Sequence, residues 1–339
     1  MLDQNICIVG FGSRGLTIFE RIVGFAKEGR LQPFHLNIYL IDRGTPGVGI
    51  HSRTQPDYLS LNTICGQLTA FTDESVLEAG PINLGPNLYE WVIREEYRLA
   101  DDGFTLLKAG GREIQPNDFL PRKLLGSYLL WSFEYLKRKL PENITLHLHA
   151  QNAIRYEQDR NGKAIITLED ESQIQADYVF ITVGHTLNMQ KDSSSQDKMP
   201  TLIDEPYPIV DQLKDIKPGE RLGIAGLGLS ALDCVAELTL GRGGRFTTDI
   251  KRYVPSGKEP VIFLYSRSGL PYRARPVISD VDKSYHALLF TESMIDQLRS
   301  QKRQWCGSPQ LDFRQDVGSS GICSKHDANS SDETSLSKG

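Results

Sequence analysis

Cysteine is scarce in this chain of 339 residues. Cys7, Cys65, Cys234, Cys306 and Cys323 are scattered and never form a C-x-x-C pair. A dithiol reductase needs two thiols placed to exchange, so that branch of redox chemistry is disfavoured. Cys7 and Cys234 lie inside apolar runs and are expected to be core thiols. Together these features suggest a reducing, cytoplasmic setting. Positive charge is also in short supply. Lys and Arg number 38 against 43 Asp and Glu, a net charge of −5, which suggests no nucleic-acid partner. No apolar run approaches the ~20 residues of a membrane span. The chain passes almost directly from Met1 into an apolar strand, so neither a membrane partner nor a signal peptide is expected. Metal-ligand clusters are lacking too. His147 and His149 alternate on one face of a predicted strand with no third ligand nearby. They are expected to be exposed strand residues, and no metal site is expected.

Glycine is plentiful, at 30 residues, and it is patterned. The apolar run Ile6–Val9 stops at Gly10, and Gly12 and Gly15 complete the spacing G-x-G-x-x-G. Leu16, Phe19, Ile22, Val23 and Ala26 then repeat at helical spacing, and a second apolar run from Leu36 to Ile41 closes on Asp42. This order is strand, glycine turn, helix, strand, acid. Gly10 permits the sharp turn, Gly12 lets a pyrophosphate approach the backbone, and Gly15 lets helix and strand pack closely. Ser13 and Arg14 open the helix, whose N-terminus offers unpaired N–H groups and a positive dipole end to phosphate. Asp42 stands where a carboxylate accepts ribose hydroxyls. A glycine-rich loop follows, Arg43-Gly-Thr-Pro-Gly-Val-Gly-Ile-His. It brings Arg43, Gly47 and Gly49 to the carboxyl end of the second strand, where ligands bind in open α/β sheets.

Beyond it, Asn62 and Thr63 offer an amide and a hydroxyl suited to a polar heterocycle. Residues 88–97 read as an amphipathic helix. A second helix is expected within 119–138, with Pro121 in its first turn and Arg122 at the surface or against a phosphate. Short strands are expected around 152–158, 164–168 and 174–183, with an Asn161-Gly162 hairpin. The last is expected to be a buried strand ending on Gly184. His51 and His185 stand beside glycine loops, and His185 is a weak candidate for proton transfer. A second fingerprint then appears, in which Arg221–Ala225 is a strand and Gly226, Gly228 and Ser230 form the turn. Ala231 replaces the third glycine, where only a small residue is needed. Residues 251–260 are expected to be a loop. The strand Val261–Tyr265 ends at Ser266-Arg267-Ser268, and a guanidinium there suits the 2′-phosphate of NADPH better than the ribose of NADH.

The segments Gly-Phe-Gly-Ser-Arg-Gly, Thr-Pro-Gly-Val-Gly-Ile, Leu-Ser-Leu-Asn-Thr and Phe-Leu-Pro-Arg-Lys-Leu-Leu-Gly-Ser-Tyr resemble those of the FAD/NAD(P)-binding protein family. So do Gly-Leu-Gly-Leu-Ser-Ala-Leu-Asp and Tyr-Ser-Arg-Ser-Gly-Leu-Pro-Tyr. That family is allied to the class B flavin monooxygenases and the amino-acid N-hydroxylases, and it includes an aspartate N-monooxygenase. The resemblance implies an α/β fold with two Rossmann-like dinucleotide-binding units, for FAD and NADP, and a small β-meander in the first. It implies that Gly10, Gly12, Gly15 and Asp42 hold the FAD adenosine and pyrophosphate. Gly47, Gly49, Asn62, Thr63 and Gly184 would lie near the flavin, and Gly226, Gly228, Ser230 and Arg267 would hold NADPH. The implied activity is NADPH-dependent reduction of FAD, followed by reaction with O₂ and oxygen transfer to a small amine or amino acid.

The expected organisation is an FAD-binding domain over 1–189, a polar linker over 190–217, an NAD(P)-binding domain over 218–317 and a disordered tail over 318–339. Relatives in the family run longer, so a truncated end is expected, with the second domain incomplete and apolar surface exposed. A cofactor-binding remnant without turnover is the alternative reading, as is an NADPH oxidase or reductase.

Overall fold

Alternation along the first strands decides what each face of the sheet must meet. In β1 (Leu2–Val9) and β2 (Phe34–Ile41), residues Ile6, Ile8, Leu36, Ile38 and Leu40 share one face, while Cys7, Val9, Tyr39 and Ile41 share the other. Both faces are apolar, so the sheet requires a layer on each side. The computed structural model describes residues 2–31, 34–74, 80–184, 202–247, 252–271, 288 and 290–302. Helices α1 (Ser13–Lys27), α2 (Leu88–Arg94) and α3 (Arg122–Lys137) cover the first face, with Leu16, Phe19, Val23, Trp91, Tyr128 and Phe133 in the core. Phe11, Phe19 and Phe133 meet there with ring centroids 5.4–5.9 Å apart. Between α2 and α3 lies a small antiparallel sheet of β3 (Arg98–Leu99), β4 (Leu106–Leu107) and β5 (Arg112–Glu113).

The second face is covered by a three-stranded meander of β7 (Ala153–Gln158), β8 (Ala164–Leu168) and β9 (Gln173–Ala176). Ile166, Leu168, Ile174 and Ala176 pack there on Cys7 and Ile41. The chain reaches this layer from β6 (Ile144–His149) and leaves it by β10 (Tyr178–Ile181). The parallel sheet order is β10-β1-β2-β6. This is the expected α/β unit with its meander, with two corrections. The stretch 174–183 is not one strand. Asp177 breaks it by accepting the Asn5 N–H at 2.8 Å, so β9 ends in the meander and β10 begins in the main sheet. Nor is β10 buried: among the described residues it is an edge strand, and Tyr178 and Ile181 are 55% and 65% exposed. His147 and His149 also differ from expectation. They are half-buried and stack on Tyr39, their neighbour on β2, with centroids 4.5 and 6.0 Å away.

The second dinucleotide unit begins with α4 (Ile209–Leu213) and continues through β11 (Arg221–Ala225) and α5 (Leu229–Thr239). The hairpin β12 (Arg245–Phe246) and β13 (Tyr253–Val254) precedes β14 (Val261–Tyr265), which pairs in parallel with β11. The expected linker over 190–217 is therefore only partly a connection. Residues 185–201 lie outside the described residues, but Ile203, Ile209, Leu213 and Ile216 pack into the second unit. The expected loop over 251–260 carries β13, and Glu259 ties its turn by accepting from Ser256 N, Gly257 N and the Tyr253 hydroxyl. Phe263, Leu264 and Tyr265 on β14 remain about half exposed.

By its contacts the chain divides at Asp282, with residues 1–282 in one compact unit and 283–339 in another. This departs from the expected boundary near 217, because Leu59 of the first dinucleotide unit sits in the apolar cluster of the second. The described part of the later unit includes the polar helix α6 (Glu292–Lys302). The expected tail over 318–339, together with Cys306 and Cys323, lies outside the described residues. Cys7, Cys65 and Cys234 are buried thiols; burial pushes Cys7 and Cys65 up to about 12 and raises Cys234 as well.

The chain is tightly packed at Gly10, at φ +81°, where an added Cβ would stand 2.7 Å from Val183 Cα and 2.8 Å from Thr182 C. Gly10→Ala is expected to lower stability by about 1–3 kcal/mol, from left-handed strain together with backbone overlap. Urea denaturation checks this, and an unchanged midpoint would contradict the packing described.

Candidate functional site

The first glycine turn is assembled from the ends of three strands. Gly10 N donates to Ile41 O at 2.8 Å, and Thr182 N donates to Val9 O at 2.7 Å. The Thr182 hydroxyl donates to Gly10 O. Gly15 serves the purpose its spacing predicts, since an added Cβ would lie 2.7 Å from Gly10 O and 3.0 Å from the Phe11 ring. Gly12 faces something unexpected: its missing Cβ points at Gly49 Cα, 3.3 Å away. Gly49 adopts φ +54° and Gly47 φ +80°, and Gly47 N donates to Phe11 O at 2.7 Å. The loop after β2 is thus laid backbone to backbone on the turn after β1. A cleft of about 310 Å³ opens beside it, lined by Thr45, Val48, Gly49, Ser52, Arg53 and Thr54.

The polar side chains around this turn are largely committed to the protein itself. Asp42 accepts Phe11 N with one carboxylate oxygen and Gly44 N, at 2.7 Å, with the other. Arg43 is paired with Glu169 on the meander side, and that pairing holds the Glu169 carboxyl down to about 2. Asn62 is exposed and Thr63 half-buried, their side chains 3.4 Å apart. Neither hydrogen-bonds to the glycine turns among the described residues. Gly184 is exposed at φ +77°. His185 lies outside the described residues.

What the turn offers a ligand is backbone. Helix α1 starts with Gly12 as its N-cap, which supplies no side-chain cap, and its first turn contains no acid. Its leading N–H groups and positive dipole end are therefore left for an anion. Ser13 and the exposed Arg14 stand in that first turn. The second turn repeats the device. Gly226 N donates to Tyr265 O at 2.8 Å, and Gly226 adopts φ +92° with nothing among the described residues within 4 Å of an added Cβ. Helix α5 starts with Gly228 as its N-cap, again without a side-chain cap or an acid in the first turn. Ser230 is exposed there, and Ala231 is buried at the place of the third glycine. Arg267 is exposed just past β14, between Ser266 and Ser268. Both turns therefore fit a dinucleotide pyrophosphate.

Three features escaped the sequence reading. Glu20, 1% exposed in α1, accepts from Arg21, Thr72 and Asn83 and so is fully occupied in the core. Asp233 and Glu237 are buried on α5; their i, i+4 spacing on an otherwise apolar helix was the available signal. His51 packs so closely on α3 that a Cβ on Gly126 would lie 1.8 Å from His51 O. The His51 Nδ1 is buried with no hydrogen-bond partner.

The FAD-NAD(P)-binding family matches residues 7–186 of the chain. A nitrosuccinic acid synthase from Aspergillus oryzae is 33% identical in an alignment of 308 positions that covers 87% of this chain and 45% of that protein. An L-aspartate N-monooxygenase (nitrosuccinate-forming) from Streptomyces davaonensis is 31% identical, over 93% of this chain and 51% of its own. The chain thus spans about half the length of the curated relatives it matches. Among solved structures, Tmm from Pelagibacter sp. strain HTCC7211 aligns at 16% identity with a TM-score of 0.43, over 79% of this chain and 58% of that one. No helix among the described residues is long and apolar enough to cross a membrane.

Burial, and then the charge of Arg122, lower the pKa of His51 below its ordinary 6.5. The folded state thus resists a proton that the unfolded chain accepts. The resulting stability is fully present above pH 6.5 and is lost as pH falls towards the folded pKa. Thermal melts at pH 7.5 and 5.5 should show a smaller loss for His51→Gln than for the parent chain. Equal losses would remove His51 from the acid response.

Proposed function

The chain belongs to the FAD-NAD(P)-binding family, and from that premise we propose that it is an FAD-dependent, NADPH-oxidising flavin monooxygenase that N-oxygenates an amino acid. The observation that carries this is the pair of glycine-capped, acid-free helix starts at Gly12 and Gly228, each following a parallel strand. A protein with one resident dinucleotide needs one such start; an enzyme that passes hydride between two needs both. L-Aspartate is the first substrate to try, since the two relatives are named for nitrosuccinate formation.

In this proposal the α1 start, with the Gly47–Gly49 loop packed against it, binds the FAD pyrophosphate through backbone N–H groups of the helix. The α5 start binds the NADPH pyrophosphate, and Arg267 takes the 2′-phosphate as a planar guanidinium fork. Bound FAD would accept hydride from NADPH and activate O₂ for transfer to the amine. Asp42 holds the first turn in shape from beneath by accepting Phe11 N and Gly44 N. Gly12 and Gly49, in backbone contact, keep side chains out of the phosphate approach.

A second reading, cofactor binding without productive turnover, is favoured by one observation. Ile181, Phe263 and Tyr265 are 65%, 52% and 58% exposed, whereas oxygen transfer requires a site that excludes water.

The purified chain with FAD should show a flavin absorbance band that NADPH bleaches without air and that air restores. A colourless protein that FAD does not stabilise would end the proposal. Hydrogen peroxide released one for one with NADPH, with L-aspartate and other amino acids untouched, would make the chain an oxidase. Arg267→Ala should raise the KM for NADPH about tenfold or more while leaving that for NADH nearly unchanged, the loss expected for one charge-assisted contact. Equal effects on the two nucleotides would take Arg267 out of the site.

A further inference from the structure

Arg122 joins the two dinucleotide units. Its Nη1 donates to Asp233 Oδ2 at 2.7 Å; its Nη2 reaches Asp233 Oδ1 at 3.3 Å and Ser60 O at 3.1 Å. Its backbone N donates to Leu59 O at 2.7 Å. Asp233 also accepts the Tyr207 hydroxyl, and one turn further along α5 Glu237 accepts the Tyr58 hydroxyl. The two acids are 8% and 6% exposed. Burying two carboxylates on one helix face is costly unless each is paired and hydrogen-bonded, so this face of α5 has one well-satisfied seat. Leu59, next to Tyr58 in the chain, is packed with Ile209, Leu213, Cys234 and Leu238.

The strap that supplies Tyr58, Leu59 and Ser60 runs on into Asn62 and Thr63. It is pinned to the start of α3 by Leu61 N donating to Leu120 O at 2.9 Å and by the antiparallel bridge Ser60–Pro121. The helix that receives it begins at the second glycine turn. With its fork committed to Asp233 and Ser60, Arg122 is not available to a phosphate. We propose that Arg122 is a positioning residue: through Asp233 and the 58–60 strap it fixes the Gly226–Ser230 turn against the flavin-side strap and so sets the distance for hydride transfer. The catalytic part of this inference rests on the reading of the two turns as FAD and NADPH sites; the mechanical part does not. Hydride transfer tolerates little misplacement, and a shift of about 1 Å costs on the order of a hundredfold in rate.

The test uses the full chain and the variants Arg122→Met, Arg122→Lys and Asp233→Asn. Amide hydrogen exchange should rise together over 58–63 and 229–239 in Arg122→Met, with α1, β1 and β2 unchanged, and Arg122→Lys should recover part of the protection. In stopped flow, flavin reduction by NADPH should slow about ten- to a hundredfold in Arg122→Met, as misplacement predicts, with FAD affinity held within about twofold. Should Arg122→Met fail to fold, Asp233→Asn carries the same comparison. Unchanged exchange over α5, or a loss of FAD affinity equal to the loss of reduction rate, would overturn the inference. If the parent chain neither binds FAD nor oxidises NADPH, the proposed function fails, and the exchange data still decide whether Arg122 couples strap and helix.

Discussion

Backbone-to-backbone contact at the ends of β1, β2 and β10 is the constraint from which the rest of the first dinucleotide unit follows. Gly10 meets Thr182 and Val183, Gly12 meets Gly49, and Gly15 meets Gly10 O, all at distances that exclude a Cβ or require its neighbour to yield. Once these contacts close, the side chains around them are spent on holding the loops. The Thr182 hydroxyl and the Asp42 carboxylate both satisfy backbone groups of the turn. What remains for a ligand is the uncapped start of α1. The anion site proposed there is thus one of peptide groups, whose positions the sheet fixes, rather than of long side chains, which would have to be ordered on binding.

Much of this could be read in the sequence, because it depends on short spacings. The interval from Gly10 to Gly15, the period-two alternation of β1 and β2 and the helical repeat from Leu16 to Ala26 are local, and each element lies where its pattern placed it. Less accessible were features decided by distant pairing. The run from Ile174 to Val183 is uniformly strand-like, and only the bond from Asn5 N to Asp177 splits it between two sheets. His147 and His149 alternate as surface residues do, yet Tyr39 on the neighbouring strand covers them. The polar stretch before residue 218 resembled a linker because its apolar residues are few. Ile209 and Leu213 nevertheless pack beside Leu59, about 150 residues away in the chain.

The candidate site divides the same way. The spacing located the glycines and assigned Gly15 its correct mechanical role. It could not show that Gly12 faces Gly49, since that contact joins two turns more than thirty residues apart. Nor could it show the partners the side chains take within the protein. Asp42 accepts main-chain N–H groups, and Arg43 pairs with Glu169. Arg122 suited a surface or a phosphate until α5 was brought against it with two buried carboxylates.

The two helix starts are alike in chemistry and unlike in support. Around Gly10, Gly12 and Gly15 the backbone of other segments lies within about 3 Å of each missing Cβ, so the first cradle is walled before any ligand arrives. Within 4 Å of the missing Cβ of Gly226 there is nothing among the described residues, and β11 has β14 as its partner strand among them. A walled site loses little freedom on binding and suits a cofactor that stays; an open one suits a nucleotide that arrives, reacts and leaves. The strand pairing and the Gly226 N to Tyr265 O bond hold the near side of that turn. In the proposal for Arg122, its alignment with the first site comes from the far side of α5, where Asp233 and Glu237 are held by Arg122 and Tyr58. This places the precision demanded of the second site in an ion pair one helical turn behind it, anchored to the strap of the first.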